Sequence, residues 1–148
     1  MQSHSVIPHI VLISVVFLLS ACGANQRDVH AALAAYLQNT TQAQSLAAAH
    51  WDAIIIGDGA NCQQGLAVPS TFDLTQSEAE RYPDAVLVRD HLNFSIGYLT
   101  QSAQIWDSIC GNASGTVPPR EADSGYLAAR NAKTELDLAQ AAYSAWNP

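Results

Sequence analysis

Histidine and carboxylate side chains are the groups in this sequence that could carry out catalysis or hold a metal ion. His30, His50 and His91 fall in segments of helical pattern, but none has a second histidine four residues away, the spacing of a two-ligand helix site. No G-x-S-x-G nucleophile motif occurs either. A metal-dependent hydrolase using His50, His91 and nearby acids is therefore the weakest of three functional hypotheses. The sequence nominates no catalytic residue, no metal ligand and no cofactor.

An apolar run near the N-terminus is too short to span a bilayer comfortably. Residues 10–19 read IVLISVVFLL, and a helix of that length measures about 15 Å against a hydrocarbon core of about 30 Å. The run has the length of a secretory signal core. It ends in Leu19-Ser20-Ala21-Cys22, an aliphatic residue, two small residues and a cysteine. In this it resembles the lipobox of bacterial lipoproteins.

The resemblance covers only the N-terminal end of the chain, and it implies a cleaved and lipidated protein. Residues 1–21 would be the signal peptide, Cys22 would carry the lipid, and residues 22–27 would tether a domain at 28–148. Two or three acyl chains anchor a protein stably, which implies an extracytoplasmic protein held on the cell membrane. Gly23, which is not Asp, implies the outer membrane if the host has one. The alternative is an ordinary signal peptide or a retained anchor.

Two cysteines remain once Cys22 is assigned to the lipid. An even pair in an exported domain indicates one structural disulfide, here between Cys62 and Cys110. Neither has a C-x-x-C partner or a nearby histidine at ligand spacing, which disfavours the alternatives of a reactive thiol or a metal ligand. Cys110 falls on the apolar face of a predicted helix, so we expect a buried bridge.

The remaining chain predicts an all-α fold. Apolar residues recur at spacings of three and four from residue 25 to about 57, from 83 to about 110, and from a start between 119 and 124 to about 146. These segments predict three long helices. A long connection joins the first two, and Thr75-x-x-Glu78 within it matches a capping box, which predicts a short extra helix over 75–82.

The disulfide constrains the order of the helices. Cys62 follows the first helix and Cys110 ends the second, and bonded cysteines have Cα atoms within about 7 Å of each other. In a plain up-down-up bundle these points would lie at opposite ends, roughly 40 Å apart. We therefore expect the first two long helices to run roughly parallel, with the third antiparallel to them.

The charge balance disfavours nucleic acid as a partner, because 13 acidic residues outnumber 6 scattered basic ones and the net charge is -7. The leading hypothesis is a non-catalytic module that contacts an envelope protein, and its oligomeric state is open. It follows from the lipobox, the predicted helices and the lack of a catalytic set of residues. The second hypothesis is a module that binds a small apolar ligand between alanine-lined helices. Trp51 and Trp106 would line such a ligand or partner cleft, and core packing is their alternative role.

Overall fold

A computed structural model describes residues 26–112 and 117–146 of the chain. These residues form four helices and no strand, which confirms the predicted all-α class. The count is four rather than three because the short helix anticipated in the connection is formed. The helices are α1 (Gln26–Ile56), α2 (Gln76–Arg81), α3 (Pro83–Gly111) and α4 (Pro119–Ala145).

The helix ends follow from local sequence. Gly57 has a φ of 93°, a left-handed conformation that glycine adopts without a side-chain clash, and α1 ends just before it. The Thr75 hydroxyl accepts from the Glu78 N–H while the Glu78 carboxylate accepts from the Thr75 N–H, so the predicted capping box is present at the start of α2. Pro83 occupies the first turn of α3, where its missing N–H leaves no hydrogen bond unmade.

The core consists of two clusters of buried side chains. The first core cluster joins the early part of α1, the early part of α3 and the late part of α4. The second core cluster joins the late part of α1, the late part of α3 and the middle of α4. The main members of the first are Val29, Leu33, Leu37, Val88, Leu92, Ile96, Leu136 and Trp146, and those of the second are Ala47, Trp51, Leu99, Trp106, Ile109, Ala129 and Ala132.

The disulfide between Cys62 and Cys110 is formed, with the two Cα atoms 5.3 Å apart. It fastens the connection after α1 to the last turn of α3. A second attachment lies further on, where the Phe72 N–H donates to Asn93 Oδ1 (2.8 Å) and Asn93 Nδ2 donates to the Phe72 carbonyl (2.9 Å). The connection therefore lies along α3 and is held at both ends.

The expectation that the bridge would be buried is wrong. Cys110 is half-buried at the edge of the second core cluster, as its place on the apolar face of α3 suggested. Cys62 is exposed, because it belongs to the irregular connection outside the bundle. The bridge thus crosses from the rim of the core to the surface.

The lipobox and its Cys22 lie outside the described residues, as do the predicted signal peptide and the larger part of the tether. Helix α1 begins at Gln26, inside the predicted tether of residues 22–27. None of the helices in residues 26–112 and 117–146 is both long and apolar enough to cross a membrane.

Candidate functional site

Trp51 and Trp106 lie in the second core cluster with at most 1% of either residue exposed. Their rings meet edge to face, with centroids 5.5 Å apart. The Trp51 indole N–H donates to the Ser102 hydroxyl at 2.7 Å, and the same indole lies against Gly125, where a Cβ atom would collide with the ring. The two indoles thus touch each other and the helices around them, and this contact joins all three long helices.

The histidines are far apart in the fold. His50 stacks on Trp106, with ring centroids 4.4 Å apart, and its Nε2 lies 3.4 Å from Gln64 Oε1. His91 pairs with Glu135 on α4, Nδ1 to Oε2 at 2.7 Å. Trp106 follows His91 by fifteen residues of α3, which corresponds to about 22 Å. In the described ranges no group of three His, Cys, Asp or Glu side chains is placed to hold a metal ion.

One surface presents large apolar side chains to solvent along the seam between α3 and α4. We call it the outer face, defined by Leu87 and Phe94 on α3 and Leu127 and Leu138 on α4, which are 45–61% exposed. Leu87 and Phe94 are seven residues apart and therefore lie on one side of α3, as do Leu127 and Leu138, eleven apart, on α4. His91 follows Leu87 by four residues, so its pair with Glu135 lies beside this face.

Hydrogen bonds between α3 and α4 fix how the outer face is arranged. The Ser95 hydroxyl donates to the Ala132 carbonyl (2.8 Å), and further along α3 the Ser102 hydroxyl lies 3.5 Å from the Gly125 carbonyl. These two contacts place Ala132 beside Ser95 and Gly125 beside Ser102. The face is about 17 Å long, the rise of eleven helical residues.

A depression interrupts the outer face beside Phe94. Its volume is about 240 Å³, and its lining includes Gly97, Tyr98 and Gln101. The absence of a side chain at Gly97 leaves this space, since nothing lies within 4 Å of the point where a Cβ would stand. The face therefore combines protruding rings and methyl groups with a hollow that could receive one side chain.

A polar groove lies between α1 and α4. Its volume is about 270 Å³. Alanines 48 and 129 leave room between the helices, and the buried Gln44 amide approaches the Ala129 carbonyl at 3.4 Å. The charged lining residues are Asp52 on α1 and Arg130, Lys133 and Asp137 on α4. We call it the α1–α4 groove.

Comparison with protein-family models, with curated proteins and with solved structures finds no match to this chain.

Sequence reasoning missed both surfaces. The outer face had a signal, because Leu87 and Phe94 fall outside the apolar stripe that marks the inner side of α3, and large apolar residues off such a stripe are exposed. The α1–α4 groove had none. Asp52 and Arg130 are 78 residues apart in sequence, and only the packing of the two helices brings them to one groove.

Proposed function

We propose that this protein is a lipid-anchored module of the cell envelope that acts without catalysis, by binding another envelope protein through its outer face. The lipobox at Leu19-Ser20-Ala21-Cys22 supports the anchor. The observation that carries the binding role is the exposure of four large apolar side chains along one seam of a folded bundle. Exposed apolar patches on soluble domains commonly mark interaction surfaces.

We infer further that α1 and α3 run in the same direction and α4 runs against them. The membership of the two core clusters supports this, since each unites corresponding parts of α1 and α3. The disulfide supports it as well, because it ties the segment after α1 to the end of α3. In this order the outer face lies between two antiparallel helices.

The partner that suits the outer face is an amphipathic helix of about three turns. A length of about 17 Å accommodates eleven helical residues, and two antiparallel helices form a shallow valley for a third, as in helix-in-groove recognition. The partner helix should carry basic residues beside its apolar stripe. The reason is that the chain has a net charge of -7 and that Glu135 lies beside the face.

Photo-crosslinking in intact cells tests this proposal. A photoreactive amino acid is placed at Phe94 or at Leu138 on the outer face, and at Ile56 as the control, which is 74% exposed at the end of α1. We expect the two outer-face positions to crosslink the same protein, and the mapped peptide to be an amphipathic basic helix. Equal crosslinking from Ile56, or products only of twice the mass of this chain, would contradict the proposal.

Substitution of the face separates binding from folding. Phe94→Gln with Leu138→Gln should leave the free energy of unfolding within about 0.5 kcal/mol of the wild type, because both side chains are largely exposed. The crosslink from a photoreactive residue at position 87 should be lost in this variant. A retained crosslink would show that the partner binds elsewhere.

Mass spectrometry of the mature protein tests the anchor separately. We expect a chain that begins at Cys22 and carries diacylglycerol, and release from the membrane fraction in the Cys22→Ser variant. A mature chain that retains residues 1–21, or one that lacks acyl mass, would refute the lipid anchor without bearing on the outer face.

A further inference from the structure

The α1–α4 groove contains four charged side chains, and two of them neutralise each other. Lys133 Nζ lies 2.9 and 2.7 Å from the two carboxylate oxygens of Asp137. Arg130 and Asp52 form no ion pair with any residue of 26–112 or 117–146. The groove therefore presents one guanidinium from α4 and one carboxylate from α1, both exposed and neither in an ion pair within the described residues.

The guanidinium of Arg130 is oriented by an aromatic neighbour. Its central carbon lies 5.7 Å from the centroid of the Tyr126 ring, within the range of a cation–π contact. A guanidinium that stacks on a ring keeps its edge N–H donors available, and these match the two oxygens of a carboxylate. Arg130 is thus placed to donate to a carboxylate in the groove.

The rest of the groove suits a small molecule with an apolar part. Ala48 and Ala129 line it with methyl groups, and the Tyr126 ring adds an apolar surface. A volume of about 270 Å³ lies just below the range for drug-sized ligands, roughly 300–1,000 Å³. It has room for one amino acid rather than for a long peptide.

We propose that the α1–α4 groove binds a free α-amino acid with an apolar side chain. Arg130 receives the carboxylate, Asp52 receives the ammonium group, and the side chain rests on Ala48 and Ala129. A zwitterion is the ligand class that satisfies both unpaired charges at once, whereas a simple anion leaves Asp52 unpaired and a simple cation leaves Arg130 unpaired. This site is separate from the outer face, so it stands whether or not a protein partner binds there.

Titration of the nitrogen-15-labelled full chain with three matched probes tests this proposal by NMR. The probes are L-leucine, 4-methylpentanoate, which is leucine without its ammonium group, and 3-methylbutylamine, which is leucine without its carboxylate. We expect leucine to shift amide signals in residues 44–52 and 126–137 and to saturate in the millimolar range, because the groove is open. Each half-probe should bind at least tenfold more weakly.

Charge-removing variants locate the ligand. Arg130→Gln and Asp52→Asn should each weaken leucine binding at least tenfold. Lys133→Gln should weaken it less than threefold, because Lys133 is already paired with Asp137. Arg120→Gln removes an exposed charge from α4 outside the groove lining and should change nothing.

Three results would overturn the proposal. One is the absence of saturable shifts with leucine. Another is equal binding of 4-methylpentanoate and leucine, which would make the groove a site for simple carboxylates. The last is equal loss of binding in Arg120→Gln and Arg130→Gln, which would indicate a nonspecific effect of net charge.

Discussion

The two core clusters stabilise the bundle in different ways. The first is built mainly from Val, Leu, Ile and Ala side chains, which need only area and approximate volume. The second surrounds two indoles that fit against a glycine, a serine hydroxyl and the base of the disulfide. One half of this small bundle therefore depends on burial, whereas the other depends on shape, hydrogen bonding and a covalent bond.

Removal of the disulfide should have the largest effect. The bridge closes a loop of 48 residues, which corresponds to about 4 kcal/mol in the chain-entropy model. We expect Cys62→Ser with Cys110→Ser to lose about that much free energy of unfolding in urea titrations. Amide exchange should rise first in the connection at 57–71, while amides around Leu92 stay protected.

Reduction of the wild-type protein provides the control for this prediction, because it opens the bridge without a change of sequence. The reduced protein and the double-serine variant should agree in stability. Two results would contradict the prediction: a loss in the free energy of unfolding below about 1 kcal/mol, or amide exchange that rises equally in both clusters. Either would mean that the disulfide does not distinguish the second cluster from the first.

Gly125→Ala should have the next largest effect. The new methyl group would collide with the fully buried Trp51 ring, which is also held by its hydrogen bond to Ser102. Overpacking of this kind costs about 1–3 kcal/mol, and the better helix propensity of alanine recovers up to about 1 kcal/mol. Because the ring is fully buried and held by Ser102, we expect a cost at the upper end of this range and a net loss of about 2 kcal/mol in the free energy of unfolding.

Gly97→Ala is the matched control. It makes the same change in the middle of α3, where nothing lies within 4 Å of the new methyl group. It should stabilise the protein by about 0.5–1 kcal/mol. If both variants gained stability, the close fit of the indole to Gly125 would be refuted.

Two buried serines of α3 allow a finer test of the hydrogen bond to the indole. Ser102→Ala leaves the Trp51 indole N–H without a partner in a site closed to water, at an expected loss of about 2 kcal/mol. Ser95→Ala removes only a donor to the Ala132 carbonyl, which sits within α4. Its expected loss is under about 1 kcal/mol. Equal losses in thermal or urea unfolding would argue against a special role for hydrogen bonding around the indoles.

Local sequence signals predicted much of the fold. Apolar spacing located the three long helices, Thr75 and Glu78 located α2, and cysteine parity found the Cys62–Cys110 bridge. These three predictions succeeded because each depends on residues close in sequence or on a simple count of cysteines. The exposure of Cys62 was not predictable in the same way, because it depends on where an irregular connection lies against the bundle.

The candidate site was less accessible from sequence. The outer face depends on which side of each helix remains uncovered, and the α1–α4 groove depends on Asp52 and Arg130 meeting across two helices. The roles of Trp51 and Gly125 also required the packing, since nothing local indicates that an indole fits against a glycine 74 residues later. These features depend on how pairs of helices pack, so no single segment of the sequence indicates them.

A further expected effect concerns Tyr143, which packs at the edge of the first core cluster. Its hydroxyl lies 2.8 Å from His30 Nδ1 and 3.3 Å from the His30 carbonyl, and burial raises the pKa of Tyr143 above its ordinary value of 10.0. A raised pKa means that the folded state holds the proton more tightly than the unfolded state. The corresponding stability is present below pH 10 and is lost as the pH rises through the folded-state pKa.

Tyr143→Phe tests whether the Tyr143 hydroxyl stabilises the edge of the first core cluster. At neutral pH the variant should be less stable by about 1 kcal/mol, the value of one hydrogen bond, and the difference from wild type should shrink as the pH rises above 10. An ultraviolet titration should show the late ionisation of Tyr143 in the wild type, and this step should be missing in the variant. A difference in stability that stays constant from neutral to alkaline pH would mean that Tyr143 contributes by packing alone, through its ring contacts with His30 and Trp146.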